Sequence, residues 1–145
     1  MRIRRATNLD RDDVRDVHLS AFPEGEGEIV SKLAISLLSE RTTPQTISLV
    51  YEADGNVVGH VAFSPVTIDN NDDLTGYILA PLGVKPDFQK RRIGSGLIES
   101  GMQQLLEMDV NLLFVYGDPG YYGKFGFSAD IADRYIPPYK LSLIH

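Results

Sequence analysis

The chain has 145 residues, 43% of them hydrophobic and 23% charged, with a net charge of −6. That is the size and balance of a single globular domain, 1–145, with room for a sizeable core. The absence of cysteine excludes disulfides, thiol nucleophiles and zinc–thiolate centres. His18, His60 and His145 are too far apart in sequence to suggest a cluster, so no metal is expected. The acidic balance argues against a nucleic-acid surface. No apolar run reaches membrane-spanning length and the first residues carry no apolar signal core, so no membrane association and a cytoplasmic location are expected.

Residues 1–6 alternate around Ile3 and read as a first strand near an edge. Thr7-Asn8-Leu9-Asp10 has the spacing of a capping box, and opens a helix marked by Leu9, Val14, Val17 and Ala21. A second helix shows one apolar face through Ile29, Val30, Leu33, Ala34, Leu37 and Leu38. Between them Glu24-Gly25-Glu26-Gly27-Glu28 reads as an acidic linker. It is either a solvated loop with carboxylates favourable at a helix start or a cation-attracting rim for an amine substrate. Residues 46–51 and 57–66 are β-rich, and Asp54-Gly55 between them signals an antiparallel hairpin. A polar turn at 69–73 leads to a strand over about 75–84, again antiparallel. Pro81 and Gly83 inside it predict a bulge or splay that frees backbone donors.

A long helix follows with Ile93, Leu97, Gly101 and Leu105 on one stripe and Met102 beside it as core. The continuous apolar run at 111–116 then reads as a strand buried on both faces, reached by a crossover and so parallel to its predecessor. The expected fold class is therefore α/β (α+β mixed sheet), antiparallel first and parallel later. Residues 117–127 suggest a turn, a short helix and a glycine stop, and the tail carries Pro137-Pro138 with little periodicity.

The turn that precedes the long helix holds Lys85, Lys90, Arg91 and Arg92 in an otherwise acidic chain. A helix start has unpaired N–H groups and partial positive charge, which suits phosphate. The nucleotide signature G-x-x-x-x-G-K-[ST] is missing, and Gly94-Ser95-Gly96 lacks the third glycine of a dinucleotide loop.

Residues 86–97, from Pro86 through Gln89, Arg92 and Gly94 to Leu97, resemble the acyl-CoA pyrophosphate loop of the GNAT superfamily of N-acetyltransferases, Gln/Arg-x-x-Gly-x-Gly/Ala. Tyr122-Gly123-Lys124-Phe125-Gly126-Phe127 resembles that family's Tyr-x-x-x-Gly-Phe signature, and the order of elements fits over essentially the whole chain. Ala80-Pro81-Leu82-Gly83-Val84 and Gly117-Asp118-Pro119 are in the style of the YhbS-like acetyltransferases. Two departures stand out. Registered on Gln89, Ile93 and Leu97, Arg92 replaces the first loop glycine; registering Arg91 with Gly94 and Gly96 keeps the pattern but spoils the spacing from Pro86. The final strand of the family is also missing, truncated or completed by a second subunit, which would make a homodimer.

The resemblance implies a GNAT-like acyl-CoA N-acyltransferase fold, with a central, mostly antiparallel sheet splayed at its fourth strand and flanked by helices. It implies acetyl-CoA as co-substrate and a small-molecule or peptide amine as acceptor. Gln89, Lys90, Arg91, Arg92, Ile93, Gly94 and Ser95 would hold the pyrophosphate, while Leu82, Gly83 and Val84 would pair with the pantetheine arm and polarise the thioester. Tyr122 matches the general acid that protonates the departing thiolate, with Tyr121 beside it as a rival. For the base, Glu24, Glu26 and Glu28 border the acceptor side, and His60 has a suitable intrinsic pKa. Without cysteine an acyl-cysteine route is excluded, so direct attack in a ternary complex is expected. The alternative is a non-catalytic acyl-CoA-binding module or sensor of the same fold.

Overall fold

In the computed structural model, residues 2–68, 75–115 and 135–136 are described. Strand β1 (Arg2–Arg5) runs through a 3-10 turn at Asn8–Asp10 into α1 (Arg11–Ala21) and α2 (Glu26–Ser39). The capping box forms: Leu9 N–H donates to Thr7 Oγ1 at 3.2 Å, and Thr7 N–H donates to the Asp10 carboxylate at 2.7 Å. Arg4 locks the same corner. Its guanidinium donates to both Asp10 oxygens at 2.8 Å and also pairs with Glu52, the bidentate geometry that makes such pairs strong.

Strands β2 (Ile47–Ala53) and β3 (Asn56–Ile68) form the expected hairpin. Asp54 and Gly55 both take positive φ, 53° and 80°, as a turn matched to strand twist requires. β4 (Gly76–Val84) is antiparallel to β3, and β5 (Leu112–Val115) is parallel to β4. Among the described residues the sheet order is β1-β2-β3-β4-β5, and β6 (Tyr135–Ile136) pairs with the far end of β3 at Thr67 and Ile68. The sheet is mixed and mostly antiparallel, as the sequence predicts.

Alternation along β2 divides the core. Ile47 and Leu49 join Phe63, Tyr77 and Leu79 beneath α3 (Ile93–Glu107), which contributes Ile93, Leu97, Ile98 and Leu105. A Cβ at Gly101 would stand 2.0 Å from the Phe63 ring, so α3 can lie this close to the sheet only with glycine there. Val50 faces the other way, with Val57, against Val14 and Val17 of α1 and Ala34 of α2. Covered on both sides, β2 is a nearly unbroken apolar run.

The acidic linker is shorter than the sequence suggests. Glu26 and Glu28 lie in the first turn of α2, after Gly25 at φ 89°. Carboxylates are favourable there, and a Cβ at Gly27 would come within 3.3 Å of the His18 carbonyl and Leu19 backbone, so the two helices pack closely at this point. The polar turn at 69–73, the segment 117–127 and the proline-containing tail lie outside the described residues.

Candidate active site

The β3–β4 register passes from Phe63↔Leu79 to Val61↔Leu82, so β4 spends Ala80 and Pro81 opposite Ala62 alone. This is the bulge that Pro81 predicts, since proline cannot donate to the ladder. Among the described residues β4 pairs with β5 from Gly76↔Leu112 to Leu79↔Val115 and with β3 as far as Val84. Lys85 N–H donates to the Val58 carbonyl at 2.9 Å. Because ladder bonds alternate in an antiparallel pair, the backbone of Gly83 points toward β3, whereas Leu82 and Val84 turn theirs away from it. There Gln89 Nε2 donates to the Val84 carbonyl at 3.0 Å, tying the following loop to the strand end.

The loop passes through a 3-10 turn at Pro86–Phe88 and two left-handed residues, Lys90 (φ 63°) and Arg92 (φ 64°), before α3 begins at Ile93. The first intrahelical bond is Gly96 N–H to the Arg92 carbonyl, 2.9 Å. The N–H groups of Ile93, Gly94 and Ser95 therefore have no acceptor within the helix, no side chain caps them, and the first turn contains no acidic residue. The strand end, the loop and the helix start border a cleft of about 530 Å³, which Ala21 and Phe22 at the end of α1 also line.

Nine of the ten residues predicted to hold the cofactor line this cleft: Leu82, Gly83, Val84, Gln89, Lys90, Arg92, Ile93, Gly94 and Ser95. Arg91 does not. Its guanidinium lies over the Phe88 ring, 5.3 Å from the centroid, a cation–π contact that orders the loop from outside. Lys90, Arg91 and Arg92 are exposed and have no carboxylate partner among the described residues. The arrangement offers an anion unpaired N–H groups, a helix-start dipole and exposed cations, next to the end of β4.

Glu24, Glu26 and Glu28 follow Phe22 in the chain but are not part of the cleft lining. Tyr122 lies outside the described residues. His60 is fully buried with both ring nitrogens engaged, Nδ1 with His18 Nε2 at 2.8 Å and Nε2 with Ser48 Oγ at 2.7 Å. Burial above all, and then the neighbouring His18, holds its pKa well below the ordinary histidine range, against a small opposing pull from Asp10. It is a neutral core group, without the exposure a base needs. His18 is equally buried, and desolvation pushes its pKa down to about 3. The sequence does not mark His18 and Ala21 as neighbours of β4 and the cleft. In helical periodicity they only complete a turn, and nothing in that pattern shows which turn ends against the cleft.

Residues 2–129 match the family model described as acetyltransferase (GNAT) domain. The chain belongs to the GNAT acetyltransferase family. As a GNAT N-acetyltransferase it is similar to YjhQ of Escherichia coli K12, an uncharacterised N-acetyltransferase, at 33% identity over 139 residues; the match covers 94% of this chain and 75% of YjhQ. A GNAT family acetyltransferase from Brucella melitensis, solved in complex with acetyl-CoA, is 36% identical with a TM-score of 0.73, covering 96% of this chain and 88% of its own. YhbS from Escherichia coli, solved in complex with CoA, is 29% identical with a TM-score of 0.76, covering 88% of this chain and 68% of its own.

Proposed function

We propose that this GNAT enzyme moves the acetyl group of acetyl-CoA to a primary amine by direct attack in a ternary complex. The observation that carries the reading is the joining, in one cleft, of the end of β4, where Leu82 and Val84 turn backbone groups away from β3, and the uncapped start of α3. The similar Brucella protein, solved with acetyl-CoA, supports the same choice of donor.

In this reading the N–H groups of Ile93, Gly94 and Ser95 bind the pyrophosphate, and Lys90, Arg91 and Arg92 add charge around it. Arg92 holds the left-handed conformation that glycine adopts freely, which supports the register placing it at the family's first loop glycine. The outward backbone groups of Leu82 and Val84 pair with the extended arm, as a strand edge pairs with a peptide. An N–H there polarises the thioester carbonyl and stabilises the oxyanion formed on attack. The amine nitrogen bonds to the acetyl carbon, the carbon–sulfur bond breaks, and the sulfur leaves as a thiolate. Tyr122 protonates that thiolate and a base takes the proton of the attacking nitrogen. Glu24, Glu26 and Glu28, at the α1–α2 corner beyond Phe22, attract a cationic amine, and a carboxylate acting through water is a suitable base.

Thiol release from acetyl-CoA, measured across a panel of small amines and peptide N-termini, tests this directly. Turnover with at least one amine is expected, and Tyr122→Phe should lower kcat by about a hundredfold or more while acetyl-CoA affinity stays unchanged. Full turnover in that variant would remove Tyr122 from the chemistry. No turnover with any amine, alongside intact acetyl-CoA binding, would favour a non-catalytic binding module.

A further inference from the structure

His18 Nδ1 is the one fully buried side-chain nitrogen or oxygen without a hydrogen-bond partner among the described residues. It ends a chain of polar groups that crosses the core from Ser48 on β2 through His60 on β3 to α1. The direction of that chain follows from cost. A bare lone pair is cheaper to bury unpaired than an N–H, because a carbonyl-like acceptor tolerates under-satisfaction better than a donor does. The favoured tautomers therefore have His18 Nε2–H donating to His60 Nδ1 and His60 Nε2–H donating to Ser48 Oγ. This leaves the lone pair at His18 Nδ1.

That atom lies against Gly83. A Cβ built on Gly83 would stand 2.6 Å from His18 Nδ1 and 2.8 Å from Cε1, so the imidazole fills the space where a side chain at position 83 would be. Gly83 is also the register partner of His60. His60 thus holds Gly83 through its backbone and His18 through its ring, and His18 closes the triangle by packing on Gly83. The stretch of β4 so clamped lines the cleft and carries the outward backbone groups of Leu82 and Val84. One turn further along α1, the Phe22 ring stacks on His18 with centroids 6.0 Å apart, and Phe22 lines the same cleft.

We propose that His18 is a positioning residue for the donor's arm. Held by His60, it stands in for the missing side chain of Gly83 and fixes the strand edge on which the arm must pair. The inference rests on acetyl-CoA being the donor, and it assigns His18 no proton transfer. Such a support matters because backbone bonds to an arriving chain form at full strength only when the strand is already in place.

The test compares two probes by calorimetry: acetyl-CoA, and 3′-phosphoadenosine 5′-diphosphate, the nucleotide half of CoA without its arm. In His18→Ala, acetyl-CoA affinity should fall about tenfold, the worth of one backbone hydrogen bond, while the nucleotide binds as in the wild type. Gly83→Ala alone should show the same arm-only loss, because its new methyl group collides with the imidazole. In the double variant that methyl occupies space vacated by the ring, and acetyl-CoA affinity should return most of the way. This sign reversal is one that general destabilisation would not give. Should His18→Ala fail to fold, Gly83→Ala and the double variant carry the same expectation. Equal losses for both probes, or losses that simply add in the double variant, would overturn the positioning role. Failure of the wild type to bind acetyl-CoA would instead remove the donor assignment on which the proposal stands.

Discussion

Arg92 occupies the N-cap position of α3 at φ 64° with no side-chain cap bond. A non-glycine residue in this region costs on the order of 1 kcal/mol, and such strain collects where a backbone geometry is needed for function. The geometry it holds releases the N–H groups of the first helical turn toward the cleft, and its side chain adds a cation at the rim. Stability and binding should therefore move in opposite directions in Arg92→Gly. The melting temperature should rise, by an amount reflecting about 1 kcal/mol, while acetyl-CoA affinity falls several-fold. A thermal scan and a titration on the same sample check both. A lower melting temperature would mean the guanidinium makes a stabilising contact that offsets the backbone cost.

At the scale of elements, α1 is fastened to the sheet by groups whose charge states oppose acid. His18 and His60 are buried neutral, with pKa values pushed down chiefly by burial, to about 3 for His18. Their folded forms resist protonation while the unfolded chain accepts it below the ordinary value of 6.5. For His18, stability is therefore complete above that value and declines as pH falls from it toward about 3, by about 1 kcal/mol per pH unit, and His60 adds a loss in the same direction. Asp10, lowered to about 2 chiefly by its hydrogen bonds from Arg4, adds a second loss as pH falls from 3.8 to 2. Denaturant melts between pH 8 and 4 should show the first decline beginning near 6.5, and His60→Gln should flatten part of it. A stability that stays level down to pH 4 would contradict the buried neutral pair.

For the whole molecule, the sheet order and helix placement were legible because local signals agreed with one another: the capping box at Thr7, the Asp54-Gly55 turn, the stripe on α3 and the unbroken run at 112–115. The loop before α3 was legible as a candidate binding element because its basic residues and glycines are contiguous, and most of them line one cleft. What lay beyond reach is built from residues far apart in sequence. The His18–His60–Ser48 chain joins three elements, and a lone histidine on a strand has the same appearance whether or not another ring meets it. Phe22 follows α1 in the chain, and only the folding of α1 across β4 brings it to the cleft. The acidic linker was over-extended because glycines at 25 and 27 suggest a loop, whereas Gly27 allows two helices to touch. Chain-distant contacts of this kind arise from tertiary packing, which composition and periodicity do not encode.

The central claim is that the cleft between β4 and the start of α3 binds acetyl-CoA. Calorimetric titration of the intact chain with acetyl-CoA, with ATP and NAD as controls, tests it most directly. Micromolar binding of one acetyl-CoA per chain is expected, weakened when Arg91 and Arg92 are replaced by alanine, with little binding of either control. Binding of ATP in place of acetyl-CoA, or of none of the three, would contradict it.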